Sequence, residues 1–168
     1  MLFRSVQLLS GLKTDALQKV YDERLRLNPG GENMLKGLRD KGIKVALVSG
    51  GFTFFTQRLK ERHQLDYTLS NKLEVLDNKL TGKVEGAIVG TQSKADFLQQ
   101  LCNELNIKTN QVIAMGDGAN DLNMMKLAGL SIAYHAKPAV QTQADTVLNH
   151  CGLEGVLGLL DINKRLKP

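Results

Sequence analysis

Apolar positions recur along the chain in two rhythms, and the switches between them mark the elements. From Thr14 onward, Leu17, Val20, Tyr21 and Leu25 fall on one face of a helix, with Thr14 as its N-cap and Asp15 in its first turn. Asn28-Pro29-Gly30-Gly31 breaks that pattern. A second helix follows, with Met34, Leu35 and Leu38 turned inward and Gly42 at its end. Lys44-Val45-Ala46-Leu47-Val48 is then a continuous apolar run, the mark of a strand buried on both faces. It leads through Ser49-Gly50-Gly51 into a helix over 52–63.

The rhythm changes over 67–89. Leu73 to Leu76 and Leu80 to Val84 flank Asp77-Asn78, which predicts a hairpin turn. A helix over 93–105 carries Phe97, Leu98, Leu101, Cys102 and Leu105 at helical spacing. A second buried strand over 111–115 opens into Gly116-Asp117-Gly118-Ala119-Asn120-Asp121, and a helix follows to Ala128. A strand over 130–134, a short helix near Val140, a strand over 146–148 and a helix over 153–160 complete the chain. Buried strands alternating with helices imply an α/β fold with a mostly parallel sheet, whose ligands bind beyond the carboxyl ends of its strands. Both glycine-rich loops, Ser49 to Gly51 and Gly116 to Asp121, are expected at that edge.

Composition narrows the function classes. The 168 residues are 42% hydrophobic and 5% aromatic, enough for one cored domain and unlike a disordered, collagen-like or disulfide-scaffold chain. No run approaches a membrane span, and the opening residues to Leu9 are too short and interrupted for the apolar part of a signal peptide. Cys102 and Cys151 stand far apart without metal-like spacing, so free thiols, buried or half-buried in a reducing cytosol, are expected. The net charge of +5 is spread among acids, with one local excess at Asn163-Lys164-Arg165-Leu166-Lys167. With few aromatics to stack on bases, the expected partner is a small anion, with no nucleic acid and no membrane.

The two loops carry the candidate chemistry. Ser49-Gly50-Gly51 offers a hydroxyl and unshielded N–H groups at a helix N-terminus, an anion site, or else a tight turn and nothing more. Gly116 to Asp121 offers two carboxylates and an amide as hard oxygen ligands for Mg²⁺; the plainer alternative is a capped helix start with Asp121 in solvent. Asp117 follows a buried strand directly, where an unpaired charge is costly, and that favours metal binding or catalysis. Lys94 opens the helix after the hairpin, where a lysine is ordinarily solvated. His63, His135 and His150 have no partner spacing and are expected to be structural or exposed.

In order, Ser49-Gly50-Gly51-Phe52-Thr53, Lys94 and Gly116-Asp117-Gly118-Ala119-Asn120-Asp121-Leu122 resemble the phosphoserine phosphatases of the haloacid dehalogenase superfamily. Lys72-Leu73-Glu74-Val75, Leu80-Thr81-Gly82 and Tyr134-His135-Ala136-Lys137-Pro138 resemble that family too, so the likeness runs over essentially the whole chain. It implies a Rossmann-like sheet with helices on both faces and a β-hairpin, with 1–28 a remnant of a helical cap and 29–168 the core domain. It also implies a cytoplasmic, Mg²⁺-dependent hydrolase of O-phospho-L-serine in serine biosynthesis. Ser49 and the Gly50 backbone would hold the phosphate, and Lys94 would neutralise it and the charge developing in the transition state. Asp117 would be a direct Mg²⁺ ligand, Asp121 would support the metal through water or by pairing with the lysine, and Asn120 would contact the phosphoryl group or substrate.

One family motif does not occur in these residues. Asp-x-Asp-x-Thr/Val/Ser supplies the nucleophile and the general acid and base, yet no two aspartates here stand two residues apart. The family arginine for the serine carboxylate would align at Ser5, with Arg4 adjacent but out of register, and the cap glutamate for the substrate amine would lie upstream of Met1. The strand bearing the motif would lie centrally, between the strands over 44–48 and 111–115, so its absence implies two unpaired inner edges open to strand complementation or self-association. The chain is then expected to be an N-terminally truncated enzyme, inactive alone, or a non-enzymatic phosphate-binding or regulatory remnant, or one partner of a strand supplied by another chain.

Overall fold

The computed structural model describes the backbone of residues 2–166 and the side chains of residues 5–161. Arg4 and the basic tail after Asn163 therefore lie outside the described side chains. The chain divides into two compact units, one of Met1–Leu27 with Lys44–Val89 and the other of Asn28–Ile43 with Gly90–Pro168.

The first unit contains α1 (Leu2–Gln7), α2 (Asp15–Arg24), β1 (Ala46–Phe52), α4 (Thr53–His63), β2 (Tyr67–Leu76) and β3 (Lys79–Glu85). Its sheet runs β1-β2-β3. Asp77 and Asn78 join β2 to β3 with φ of 48° and 60°, the doubly left-handed turn that matches strand twist and that Asp and Asn tolerate best. Leu76 then faces Lys79, and alternate residues Leu73 and Leu80 turn to one face. There they bury against Val6 and Leu17, with Phe52, Phe54 and Phe55 packed on the cluster. β2 is longer than the hairpin pattern predicts, because its first half pairs in parallel with β1: Ala46 with Tyr67, Leu47 with Thr68, Val48 with Leu69 and Phe52 with Asn71.

Several expectations are corrected here. β1 is not buried on both faces: Ala46 is exposed and every other residue of the strand is half-buried. β1 is the outer strand of a three-stranded sheet, so less of the fold covers it than covers a central strand. It also continues through Ser49-Gly50-Gly51 to Phe52 instead of stopping at Val48. Val20 on α2 is exposed, although Leu17 is buried, because the short helix buries a narrower stripe than its spacing suggests. Thr14 donates its hydroxyl to Asn78 and makes no cap bond within α2. Helix α1, with Val6 almost fully buried, lies ahead of Thr14, where the apolar pattern places the first helix.

The second unit contains α3 (Gly31–Asp40), α5 (Thr91–Glu104), β4 (Ile113–Gly116), α6 (Leu122–Leu127), β5 (Leu130–Tyr134), α7 (Pro138–Gln141), β6 (Thr146–Leu148) and α8 (Gly155–Leu166). Its parallel sheet runs β4-β5-β6, and Ile132 and Ala133 of the central strand are 0% exposed. Met34, Leu35 and Leu38 are buried on α3, as their spacing predicts. On α3, a Cβ added to Gly37 would meet the Leu157 side chain of α8 at 2.6 Å, which shows how closely the two helices approach. Cys102 is buried and free, whereas Cys151 is free but exposed, a correction to the expectation of burial. Within the described residues, β1 and β4 are each the outer strand of their sheet. No helix among those residues is long and apolar enough to cross a membrane.

Asp145 ties β5 to the approach to β6. Its carboxylate accepts from the Ser131 hydroxyl at 2.6 Å and the Ser131 N–H at 2.7 Å, and its own N–H donates back to Ser131 Oγ at 2.9 Å. The Ser131 hydroxyl, and then the Ser131 amide, hold the carboxyl below the usual carboxylate range. A depressed folded pKa gives stability that is present above the unfolded value, about 3.9, and is lost as pH falls through the folded one. Asp145→Asn should therefore melt below the wild-type chain at pH 7, and the gap should narrow as pH drops below about 4. Melts at several pH values check this; a gap that stays constant into acid contradicts it.

Candidate functional site

In the first unit, Ser49-Gly50-Gly51 is a bulge in β1. Three residues separate Val48 from Phe52 where one separates Leu69 from Asn71 on β2, so β1 carries two extra residues that leave the ladder. Neither Gly50 nor Gly51 has a left-handed φ, so these glycines are not there to make a tight turn. A Cβ on Gly50 would meet nothing within 4 Å, which leaves that face of the backbone open to close approach. The Gly51 N–H donates to Ser49 Oγ at 3.0 Å, so the serine hydroxyl still has its own hydrogen to give. Helix α4 starts after the bulge with extended Phe52 at its N-cap, no side-chain cap and no acid in its first turn. Its first N–H groups and dipole thus keep their attraction for an anion.

In the second unit, Lys94 and Asp121 make a buried ion pair. They are 3% and 6% exposed, with Nζ and Oδ1 at 2.7 Å. Lys94 lies in the first turn of α5 between buried neighbours Ala95 and Leu98, and is therefore not the solvated lysine its position suggests. Asp121 ends the 3₁₀ turn Ala119–Asp121 just before α6 and faces inward, not into solvent. Gly116 makes this possible, because a Cβ there would overlap the Cβ and carboxylate of Asp121. The Gly118 N–H adds a long bond of 3.3 Å to Asp121 Oδ2. A lysine ammonium has three donors, so pairing with Asp121 leaves capacity for a phosphate oxygen.

Asp117 is exposed at the end of β4, and its backbone carbonyl accepts from the Lys137 N–H at 3.2 Å. Asp117 is therefore not the buried charge that its place after a strand implies. β4 stops at Gly116 with Ala114 as its one buried residue, and the buried acid of the loop is Asp121. Asn120 is exposed beside Gly118, where a Cβ would meet its Oδ1 at 2.5 Å. Among the described residues, no group of three His, Cys, Asp or Glu side chains is arranged to hold a metal. Asp121 is already engaged by Lys94, which leaves Asp117 as this loop's available carboxylate. That suits Mg²⁺, which takes one or two carboxylates and completes its shell with water and phosphate oxygens. His135 and His150 are exposed and His63 is half-buried. Ser5, where the resemblance implies the family arginine, is exposed on α1.

Sequence reasoning passes over Asn71. Its side chain is 1% exposed, and its amide donates to the Gly50 carbonyl at 2.8 Å. The one available signal is an asparagine, a poor strand former, in the middle of the Ser70-Asn71-Lys72 stretch of a strand.

Known proteins resemble this chain in sequence and in fold. The sequence profile of the haloacid dehalogenase-like hydrolases matches residues 3–126. The chain is 48% identical over 159 residues to a phosphoserine phosphatase of Polaromonas sp., covering 92% of this chain and 67% of that protein. It is 46% identical to a phosphoserine phosphatase of Haemophilus influenzae, covering 94% of this chain and 50% of that one. A solved structure described as the phospho-aspartyl intermediate analogue of phosphoserine phosphatase superposes with a TM-score of 0.89 at 37% identity, over 94% of this chain and 75% of that chain. The chain thus spans between half and three quarters of the length of these proteins. With a matching profile, extended identity and a shared fold, this chain belongs to the haloacid dehalogenase-like hydrolases and, within them, to the phosphoserine phosphatase family.

Proposed function

We propose that this chain serves the Mg²⁺-dependent hydrolysis of O-phospho-L-serine to serine and phosphate, in the cytoplasm. The observation that carries the reading is the buried Lys94–Asp121 pair beside the acidic loop after β4. A lysine almost fully removed from water is expensive to keep for stability alone, since a well-packed apolar pair would serve as well or better. As a fixed cation it attracts a phosphate and strengthens its hold as negative charge builds up in the transition state. In this reading Ser49 and the Gly50 backbone donate to the phosphate, and Asn120 contacts the phosphoryl group or the substrate. Asp121 acts by holding the Lys94 ammonium in place through their 2.7 Å pair. Asp117 would hold Mg²⁺, which when bound supplies further positive charge to the phosphate oxygens.

In the family reaction an aspartate carboxylate attacks phosphorus, the serine oxygen leaves and takes a proton, and water then frees the phosphate from the carboxylate. That carboxylate and its acid–base neighbour form the Asp-x-Asp motif, which these residues do not contain. The 168 residues alone are therefore expected to bind phosphate without turning over phosphoserine. Magnesium-dependent turnover by the purified chain, abolished by Asp117→Asn, would point instead to a substitute nucleophile.

Activity should appear when a segment carrying Asp-x-Asp-x-Thr is fused ahead of Met1 or added as a peptide. In the active fusion, Lys94→Ala should lower the rate by about ten- to a thousandfold, whereas exposed His150→Ala should change it little. Removing one partner of a buried pair also costs about 3–5 kcal/mol of stability. The double change Lys94→Met/Asp121→Leu separates the two effects, because it should recover the melt but not the rate. A folded Lys94→Ala fusion with an undiminished rate would defeat the assignment. A fusion that folds and binds phosphate but never turns over would favour the reading as a non-catalytic phosphate-binding remnant.

Magnesium binding to the chain itself should be weak, because Asp117 is the one available carboxylate of the loop. Calorimetry that finds tight, stoichiometric Mg²⁺ binding contradicts this.

A further inference from the structure

The two residues that leave the ladder at the β1 bulge give up the backbone partners that parallel pairing would have provided, and buried backbone groups rarely go unpaired. Asn71, the residue of β2 that faces Phe52 at the far end of the bulge, fills that role with its side chain. Its Nδ2 donates to the Gly50 carbonyl at 2.8 Å and, more weakly, to the Gly51 carbonyl at 3.3 Å. Its Oδ1 accepts from the Val89 N–H at 2.8 Å. Two carbonyls on one side and an N–H on the other fix which way round the amide lies. At 1% exposure, Asn71 itself is closed to solvent.

The consequence reaches Ser49 through one peptide plane. The Gly50 carbonyl and the Gly51 N–H belong to the same trans peptide and point in opposite directions. Asn71 holds the carbonyl end, and the N–H end is thereby aimed at Ser49 Oγ, which it meets at 3.0 Å. That bond occupies the serine oxygen as an acceptor and leaves its hydrogen to donate outward. We propose that Asn71 is a positioning residue for the phosphate loop: by fixing the Gly50–Gly51 peptide, it orients the Ser49 hydroxyl as a donor toward a phosphate oxygen. This rests on the reading of Ser49 as a phosphate contact. Asn71 itself need touch no ligand.

The test uses the full chain, amide hydrogen exchange and titration with inorganic phosphate. Asn71→Asp keeps the acceptor for Val89 and loses the donors to Gly50 and Gly51. It should speed exchange at Gly51 by about tenfold or more while Val89 stays protected. A merely structural role would loosen both ends together or neither. Asn71→Ala, which adds no charge, should raise the phosphate Kd by about tenfold. Thr81→Val, which removes the 2.6 Å bond to Glu74 on the hairpin, controls for simple destabilisation of the same unit and should leave the Kd unchanged. If Asn71→Ala does not fold, Asn71→Asp still decides through exchange. Unchanged Gly51 exchange in Asn71→Asp, or an unchanged Kd in a folded Asn71→Ala while Ser49→Ala raises it, overturns the inference alone. An unchanged Kd in Ser49→Ala overturns the phosphate reading as well.

Discussion

The chemistry proposed for this chain depends on one buried ion pair, Lys94 with Asp121. Lys94 is almost completely removed from water, where an unpaired charge is costly. Asp121 makes it tenable at 2.7 Å, and Gly116 makes Asp121 tenable by having no side chain in its way. The pair joins the first turn of α5 to the turn ahead of α6, and so ties down the Asp121 end of the acidic loop after β4. Pairs of this kind are seldom a bargain in stability. Their use is to present a fixed charge that needs no reorganisation when negative charge develops nearby.

A comparable economy governs the first unit. There the hairpin through Asp77 and Asn78 sets the register of β2 against β3, which places Leu73 and Leu80 in the core, while parallel pairing with β1 sets Asn71 against Phe52 at the end of the bulge. A slip of one residue would turn every one of these side chains to the other face. The bulge itself opens the backbone at Gly50, and the cost of the missing ladder bonds is met by one buried amide. Stability and loop geometry are therefore set by the same strand.

Much of this was legible in the sequence, and the exceptions share a cause. Helical spacing identified the inward faces of α3 and α5, and Asp77-Asn78 marked the hairpin, because local periodicity and turn chemistry suffice there. Fold class and family could be read from the ordered motifs. Burial could not, since it depends on what covers a segment: the apolar run ending at Val48 belongs to an outer strand, and Val20 and Cys151 are exposed. The same blindness exchanged the two acids of the loop, leaving exposed Asp117 with the argument that belongs to buried Asp121. Asn71 was missed because its importance comes from contacts 18 to 21 residues away in sequence, which no local pattern reports.

The proposed phosphate contacts are Ser49–Gly51 in the first unit and the residues around Lys94 and Asp121 in the second. Titrating the chain with O-phospho-L-serine while following its amide NMR spectrum tests this most directly. The account predicts shifts at Gly50 to Phe52 and at Gly116 to Asp121, reproduced by inorganic phosphate and absent with serine. Shifts confined to other residues, or an equal response to serine, would contradict it.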